Sequence, residues 1–366
     1  MMKTMMIPAT TLLMAGLLVM GGCDSRDTGG GSGGQAAPDP AAERERHPVV
    51  EERYMTPRDA GANVDSVAVW HDGEARHWLI ATAKEADQLL VFDAAEGDLL
   101  RQVGGGEAVD LSRPNGIAVL DDLLLVVERD HRRVQVFSLP DFRPLGRFGE
   151  EHLIRPYGLW VNPVDGGYDV YITDAYETAD EGIPPDAELD RRIQVFRMTL
   201  EEGEAKGRWR FAAGETEGPG VLREVESLWG DPRHDQLLVA DEAGDQLNLK
   251  VYDLQGRFTG RVIGEGLFQH QPEGITQYTC EDGQGYWIVA DQHETVNVFR
   301  LFERGNLEPL GGFEGAQVLN TDGVWLTREA MPGMPDGAFF AVHDDGSAAA
   351  FALDEVLPAM GLDPCR

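Results

Sequence analysis

The chain has 366 residues, with 64 acidic and 31 basic side chains and a formal charge of −33. Such acidity argues against nucleic acid as a partner, because phosphate backbones are held by clustered positive charge. It also argues against a bare polyanionic substrate unless bound cations reverse the local field; failing that, the acidity serves only surface solubility.

Residues 1–22 start Met-Met-Lys and continue as an apolar run ending Leu17-Leu18-Val19-Met20-Gly21-Gly22. A short basic start, an apolar core and small residues at the end make a secretory signal, too short for a stop-transfer helix. Its removal deletes only Lys3 among the charged residues and takes the net charge to −34. Gly21-Gly22-Cys23 resembles the bacterial lipoprotein box. The resemblance implies lipidation of Cys23 and anchoring to the bacterial cell envelope, on the periplasmic or outer face of a membrane. Residues 23–48 are a Gly/Ser/Pro-rich tether with nothing to bury. It holds formal matches to G-x-S-x-G and G-x-G-x-x-G between Gly29 and Gly34. Neither follows a strand or opens a helix, so neither carries chemistry.

Residues 49–366 read as one domain built from a repeat. Each unit opens on a short step: DSVAVW from Asp65, RPNGIAV from Arg113, RPYGLWV from Arg155, VESLWG from Val225, PEGITQY from Pro272 and TDGVWL from Thr321. Middle strands follow at 78–83, 123–128, 169–174, 236–241, 286–291 and 338–343. Third strands carry Phe92, Phe137, Phe196, Tyr252, Phe299 and Phe351, spaced 45, 59, 56, 47 and 52 residues apart. Alternating apolar residues bounded by Gly, Asp and Asn clusters are antiparallel strands. A period of that size with three or four strands per unit means a propeller. A fourth strand follows five units, at 99–103, 145–149, 208–214, 258–263 and 307–313, while the sixth runs into a short helix over DEVLPAMG. The predicted fold is all-β, a six-bladed β-propeller of four-stranded blades with a short C-terminal helix. Residues 49–55 either supply the missing strand and close the ring, removing a sheet edge, or stay an unpaired linker.

In a propeller the turns into the innermost strands share one rim. That brings Asp65, Asn115, Tyr157, Glu226, Glu273 and Asp322 to one ring around the axis, each followed by a Ser or Gly that suits crowding there. Oxygen donors converging from several strands are what calcium needs. Singly, each carboxylate could merely cap a turn; together Glu226, Glu273 and Asp322 point to a cation site. Loops after the middle strands add Asp241, Glu242, Asp291 and Gln292. With Cys23 lipidated, Cys280 and Cys365 remain, either as a disulfide or as two free thiols.

These residues resemble the β-propeller phytases, six-bladed calcium-dependent phosphatases of inositol hexakisphosphate, over most of 63–366. Asp65-Ser66-Val67-Ala68-Val69-Trp70 resembles the family's D-D-P-A-[IV]-W, and Thr82-Ala83-Lys84 its T-x-K. Leu237 to Glu242 resembles L-Y-I-A-[ED]-E, Glu273-Gly274-Ile275-Thr276 resembles E-G-L-T, and Thr321-Asp322-Gly323-Val324 resembles T-D-G-I. The resemblance implies calcium as cofactor and Asp65, Glu226, Glu273 and Asp322 as ligands. Glu226 and Glu273 would also orient the attacking water, and Lys84 and Arg129 would contact a small phosphoester. The chain departs from the family at Ser66, Ser227, Asn115-Gly116-Ile117-Ala118 and Trp325, and gains Asp291 as a further candidate ligand. Those departures leave open a related phosphoester as substrate. They also leave a second class: a non-catalytic propeller resembling the NHL type, whose Pro-Asn-Gly-Ile and Pro-Tyr-Gly-Leu steps would present the rim to a protein or carbohydrate. A monomer without nucleic acid is expected in either case.

Overall fold

The computed structural model describes residues 47–73, 76–106 and 109–365. The leader, Cys23 and the tether up to residue 46 lie outside the described residues. Six antiparallel sheets follow in chain order. Blade 1 comprises Val64–His71, His77–Ala83, Gln88–Asp93 and Leu99–Gly104. Blade 2 comprises Pro114–Leu120, Leu123–Glu128, Arg133–Ser138 and Arg143–Phe148, and blade 3 Pro156–Val164, Gly167–Asp174, Ile193–Glu201 and Glu204–Ala213. Blade 4 comprises Leu228–Asp231, Gln236–Asp241, Asn248–Tyr252 and Phe258–Ile263, and blade 5 Gln271–Thr279, Gly285–Gln292, Val298–Glu303 and Pro309–Gly315. Blade 6 has Val324–Thr327, Ala338–His343 and Ser347–Ala352. Its outer strand is Tyr54–Met55, paired antiparallel with Ser347–Ala352, so the N-terminal segment closes the ring. Each first strand touches the first strand of the next blade, and the sixth touches the first.

The side-chain period of two explains how the blades stack. Leu79 and Ala81 face blade 6, where they meet Phe340 and Ala350, while Ile80 between them faces Leu124 and Val126 of blade 2. The same alternation gives one apolar cluster per blade interface, the fifth-to-sixth built on Phe299, Phe313, Phe339 and Phe351 packed edge to face. The helix Leu353–Ala359 buries Leu353, Val356 and Leu357 in that same cluster. Cys280 and Cys365 are joined in a disulfide with Cα atoms 5.4 Å apart, tying the C-terminus to the base of blade 5. Val49–Val50 pairs parallel with Pro309–Gly315, so the N-terminal segment spans the outer edges of blades 5 and 6. Between the two short strands, Glu52 Oε1 accepts the backbone N–H groups of Gln317 and Val318. Among the described residues, no helix is long and apolar enough to cross a membrane.

At the axis the small residues are required by space. A Cβ on Gly116 would lie 2.6 Å from the Tyr157 carbonyl, and one on Gly323 2.6 Å from the Asp65 carbonyl. Trp229 and Trp325 meet edge to face, at 73°, with ring centroids 5.4 Å apart. Trp325 also packs against the core clusters of blades 1, 2 and 3, and with Trp229 it lines the axial space shared by the six inner strands.

Candidate metal centre

Four inner strands carry a β-bulge at the same place: between Val64 and Val67, Pro114 and Ile117, Pro156 and Leu159, and Pro272 and Ile275. A bulge twists the strand and re-aims a side chain. It lies at Asp65, Asn115, Tyr157 and Glu273, whose side chains form the ring expected from the sequence. The freed N–H after the bulge finds a hydroxyl on the second strand: Ser66 donates to Thr82 Oγ1 at 3.0 Å and Gly158 to Thr173 Oγ1 at 2.8 Å. Glu226 and Asp322 complete the ring from just ahead of strands Leu228–Asp231 and Val324–Thr327.

Glu226, Glu242 and Glu273 each place a carboxylate oxygen within 4.8 Å of the others. Glu242 also accepts a hydrogen bond from Gln271 at 2.6 Å. Burial and the neighbouring carboxylates hold Glu226 and Glu273 well above the ordinary carboxylate range, and burial followed by Glu224 pushes Glu242 up to about 7. Asp322 is raised likewise, by burial and then by Asp65. Its Oδ1 accepts from Gln292 at 2.7 Å, while its buried Oδ2 meets no protein donor. Asn115 is fully buried and neither of its amide atoms has a protein partner. Crowded carboxylates of this kind share protons or a cation. Hard oxygen donors of mixed reach, with two groups still lacking partners, fit calcium.

Asp65 is engaged differently. Its Oδ1 lies 2.7 Å from Lys84 Nζ and accepts from the Tyr157 hydroxyl at 3.3 Å, and its Oδ2 accepts from Ser66 Oγ at 3.0 Å. Burial alone would lower Lys84, but Asp65, Asp322 and Glu226 hold it well above its usual value. Burial and then Asp65 and Glu226 keep the Tyr157 phenol protonated. Arg129 lies over the Tyr157 ring at 5.9 Å. The structure therefore gathers Glu226, Glu273, Asp322, Asp65, Lys84 and Arg129 on one rim.

Asp291 does not join them. Its carboxylate accepts the backbone N–H groups of Gln269 and His270 at 3.2 and 2.9 Å and pairs with Arg300 at 3.0 Å. The same latch recurs one blade earlier, where Asp241 accepts from Arg223 and Glu224 and pairs with Lys250 at 2.6 Å. In blade 2, Glu128 accepts from Ser112 and pairs with Arg133 at 2.7 Å. Each latch ties the loop entering an inner strand to its own blade. The residue one step beyond it faces the rim: Arg129, Glu242 and Gln292. That single step was the signal by which Glu242 could have been preferred to Asp291.

No family model matches the chain, and no curated protein matches it. Among solved structures, a luciferin-regenerating enzyme aligns with TM-score 0.50 at 11% identity, over 84% of this chain and 96% of that one. A chain of a nidogen/laminin complex aligns with TM-score 0.47 at 16% identity, over 72% and 84% respectively. Kuenenia stuttgartiensis hydrazine synthase aligns with TM-score 0.46 at 14% identity, over 79% and 76%. The likeness to the luciferin-regenerating enzyme is one of fold, and the fold of this chain is a six-bladed β-propeller.

Proposed function

We propose that this protein is a calcium-dependent phosphomonoester hydrolase of the β-propeller phytase type, held at the bacterial cell envelope by a lipid on Cys23. The observation that carries the reading is the set of three carboxylates within 4.8 Å of one another, on the same rim as Arg129, Lys84 and Tyr157. Glu226, Glu242, Glu273 and Asp322 are the residues that would hold calcium. When bound, calcium supplies charge neutralisation of the phosphate and a more acidic water. Arg129 grips the phosphate oxygens. Asp65 fixes the Lys84 ammonium toward the same rim. Glu273, buried within the cluster, would take a proton from the attacking water and return it to the leaving oxygen as the ester P–O bond breaks, so that the alcohol departs.

Phosphate release from phenyl phosphate and from inositol hexakisphosphate, with calcium and with chelator, tests the reading. Calcium-dependent release is expected, with Glu273→Gln slower by about 10²-fold or more, the usual scale for losing a general base. No calcium-dependent release from either substrate sinks it. The second reading, a partner-binding propeller, draws on the repeated latch, which accounts for the Pro-x-Gly steps without chemistry. It gains ground on that same negative result. Anchoring is tested apart: Cys23→Ser is expected to move the protein from the membrane to the soluble fraction, and retention on membranes without detergent removes the lipid.

A further inference from the structure

Away from the carboxylate cluster, the seam between the outer strands of blades 2 and 3 holds a groove of about 450 Å³, within the range of small-molecule sites. It shares no residue with the cluster. One wall is the end of strand Arg143–Phe148 and the loop that follows it to His152. The other is Gly207 to Trp209 on strand Glu204–Ala213.

Trp209 is 39% exposed, yet its ring is fixed. The indole N–H donates inward to Gln194 Oε1 at 2.9 Å. Gln194 is buried, and its own amide donates to the Arg191 carbonyl. The His152 imidazole lies along the indole, with centroids 4.8 Å apart and planes 6° apart. Arg191 Nη2 donates to the His152 carbonyl at 3.0 Å and so holds that loop. Phe196 meets His152 edge on and packs against Phe148, and a Cβ on Gly207 would run into the Phe148 ring. A free surface tryptophan loses rotamer freedom when it binds something, and this one has lost it already. With its N–H used inside, the indole offers the groove ring carbon.

The polar groups beside this platform cancel in charge. Arg147 and Arg208 stand against Glu150 and Glu151, all four exposed. Arg147 approaches Glu150 at 3.6 Å. The balance is local, in a molecule of charge −33. It gives neither an anion nor a cation a net attraction. What the four planar heads do supply is donors and acceptors for hydroxyl groups. A neutral ligand with a flat apolar face and hydroxyls around its edge matches both halves. A pyranose ring with equatorial hydroxyls has that shape, since its faces show C–H and its edge shows O–H. Slightly positive C–H groups suit the negative face of an aromatic ring.

We propose that the seam between blades 2 and 3 binds an uncharged, gluco-configured oligosaccharide, seated on the Trp209–His152 platform.

The test is calorimetric titration of the full chain with cellotetraose and with N-acetylated chitotetraose. Saturable binding of at least one is expected. Trp209→Ala is expected to weaken it by about tenfold or more, the scale of removing one aromatic anchor, and Trp209→Phe by less. Glu151→Ala with Arg208→Ala, both on exposed side chains, is expected to weaken it too, and decides the matter if Trp209→Ala does not fold. Binding of neither sugar, or binding that none of these changes weakens, overturns the proposal. Tighter binding of polygalacturonate, an anionic chain, overturns the neutral class. Dimerisation in sedimentation that Trp209→Ala abolishes gives the groove to a second copy instead. Calcium-dependent phosphate release is read at the rim and stands or falls apart from these outcomes.

Discussion

Asp291 and Glu242 differ by one step in the frame of the repeat, and that step decides their roles. Asp291 stands where a carboxylate holds the blade together, bonded to two backbone N–H groups and to Arg300. Glu242 stands one residue further on, facing Glu226 and Glu273. Asp291→Asn would leave the Arg300 guanidinium facing a neutral amide. Breaking a buried pair in this way costs about 3–5 kcal/mol, so denaturant unfolding is expected to show a large loss with calcium affinity unchanged. Glu242→Gln is expected to do the reverse, weakening calcium binding by titration while leaving the metal-free protein as stable or more so. If Asp291→Asn abolished calcium binding in folded protein, the assignment of the two residues would be inverted. The two acids have the same chemistry and lie in similar sequence contexts. Only the pairing of Pro272 with Asp291, which fixes which way each successive side chain points, separates them.

The strands were legible because they obey a period, and the features without one were not. Third strands with a central aromatic, and a small residue after each ring position, located six blades and their rim. Asn297 stands just ahead of the third strand of blade 5, where its Oδ1 accepts the Thr321 N–H at 3.1 Å, and the strand begins at Val298. Val49–Val50 is two residues long and pairs parallel to a strand some 260 positions away, a contact with no periodic trace in the sequence. The contact of Trp229 with Trp325, between the inner strands of blades 4 and 6, likewise has no periodic trace. The disulfide closes a loop with a sequence separation of 85. On the chain-entropy model a loop that long contributes roughly 4–5 kcal/mol. Cys280→Ser with Cys365→Ser is expected to lower unfolding free energy by up to about that amount. Two alkylatable thiols in the native, non-reduced protein would show that this crosslink is absent in solution.

Over the whole molecule, a charge of −33 is concentrated further by the ring of carboxylates at one end of the axis. Glu226, Glu273 and Asp322 titrate well above, and Glu242 at about 7, where an unfolded chain titrates near the ordinary range. The folded protein therefore binds more protons than the unfolded one between those limits. The stability these groups give is present below their unfolded values and is lost as pH rises through the folded ones. In chelator, the melting temperature is expected to fall from about pH 5 to about pH 8. Calcium is expected to reverse the fall, adding about 2.7 kcal/mol at a hundredfold excess over its Kd. A melting temperature flat across that window, with and without calcium, would remove the cation site.

Trp325 sits where several blades converge, so it belongs to no single blade's packing. A smaller side chain there would loosen the seams between blades 6 and 1, 1 and 2, and 2 and 3 at once. The cost of that change is set by the ring and not by the strand that carries the residue.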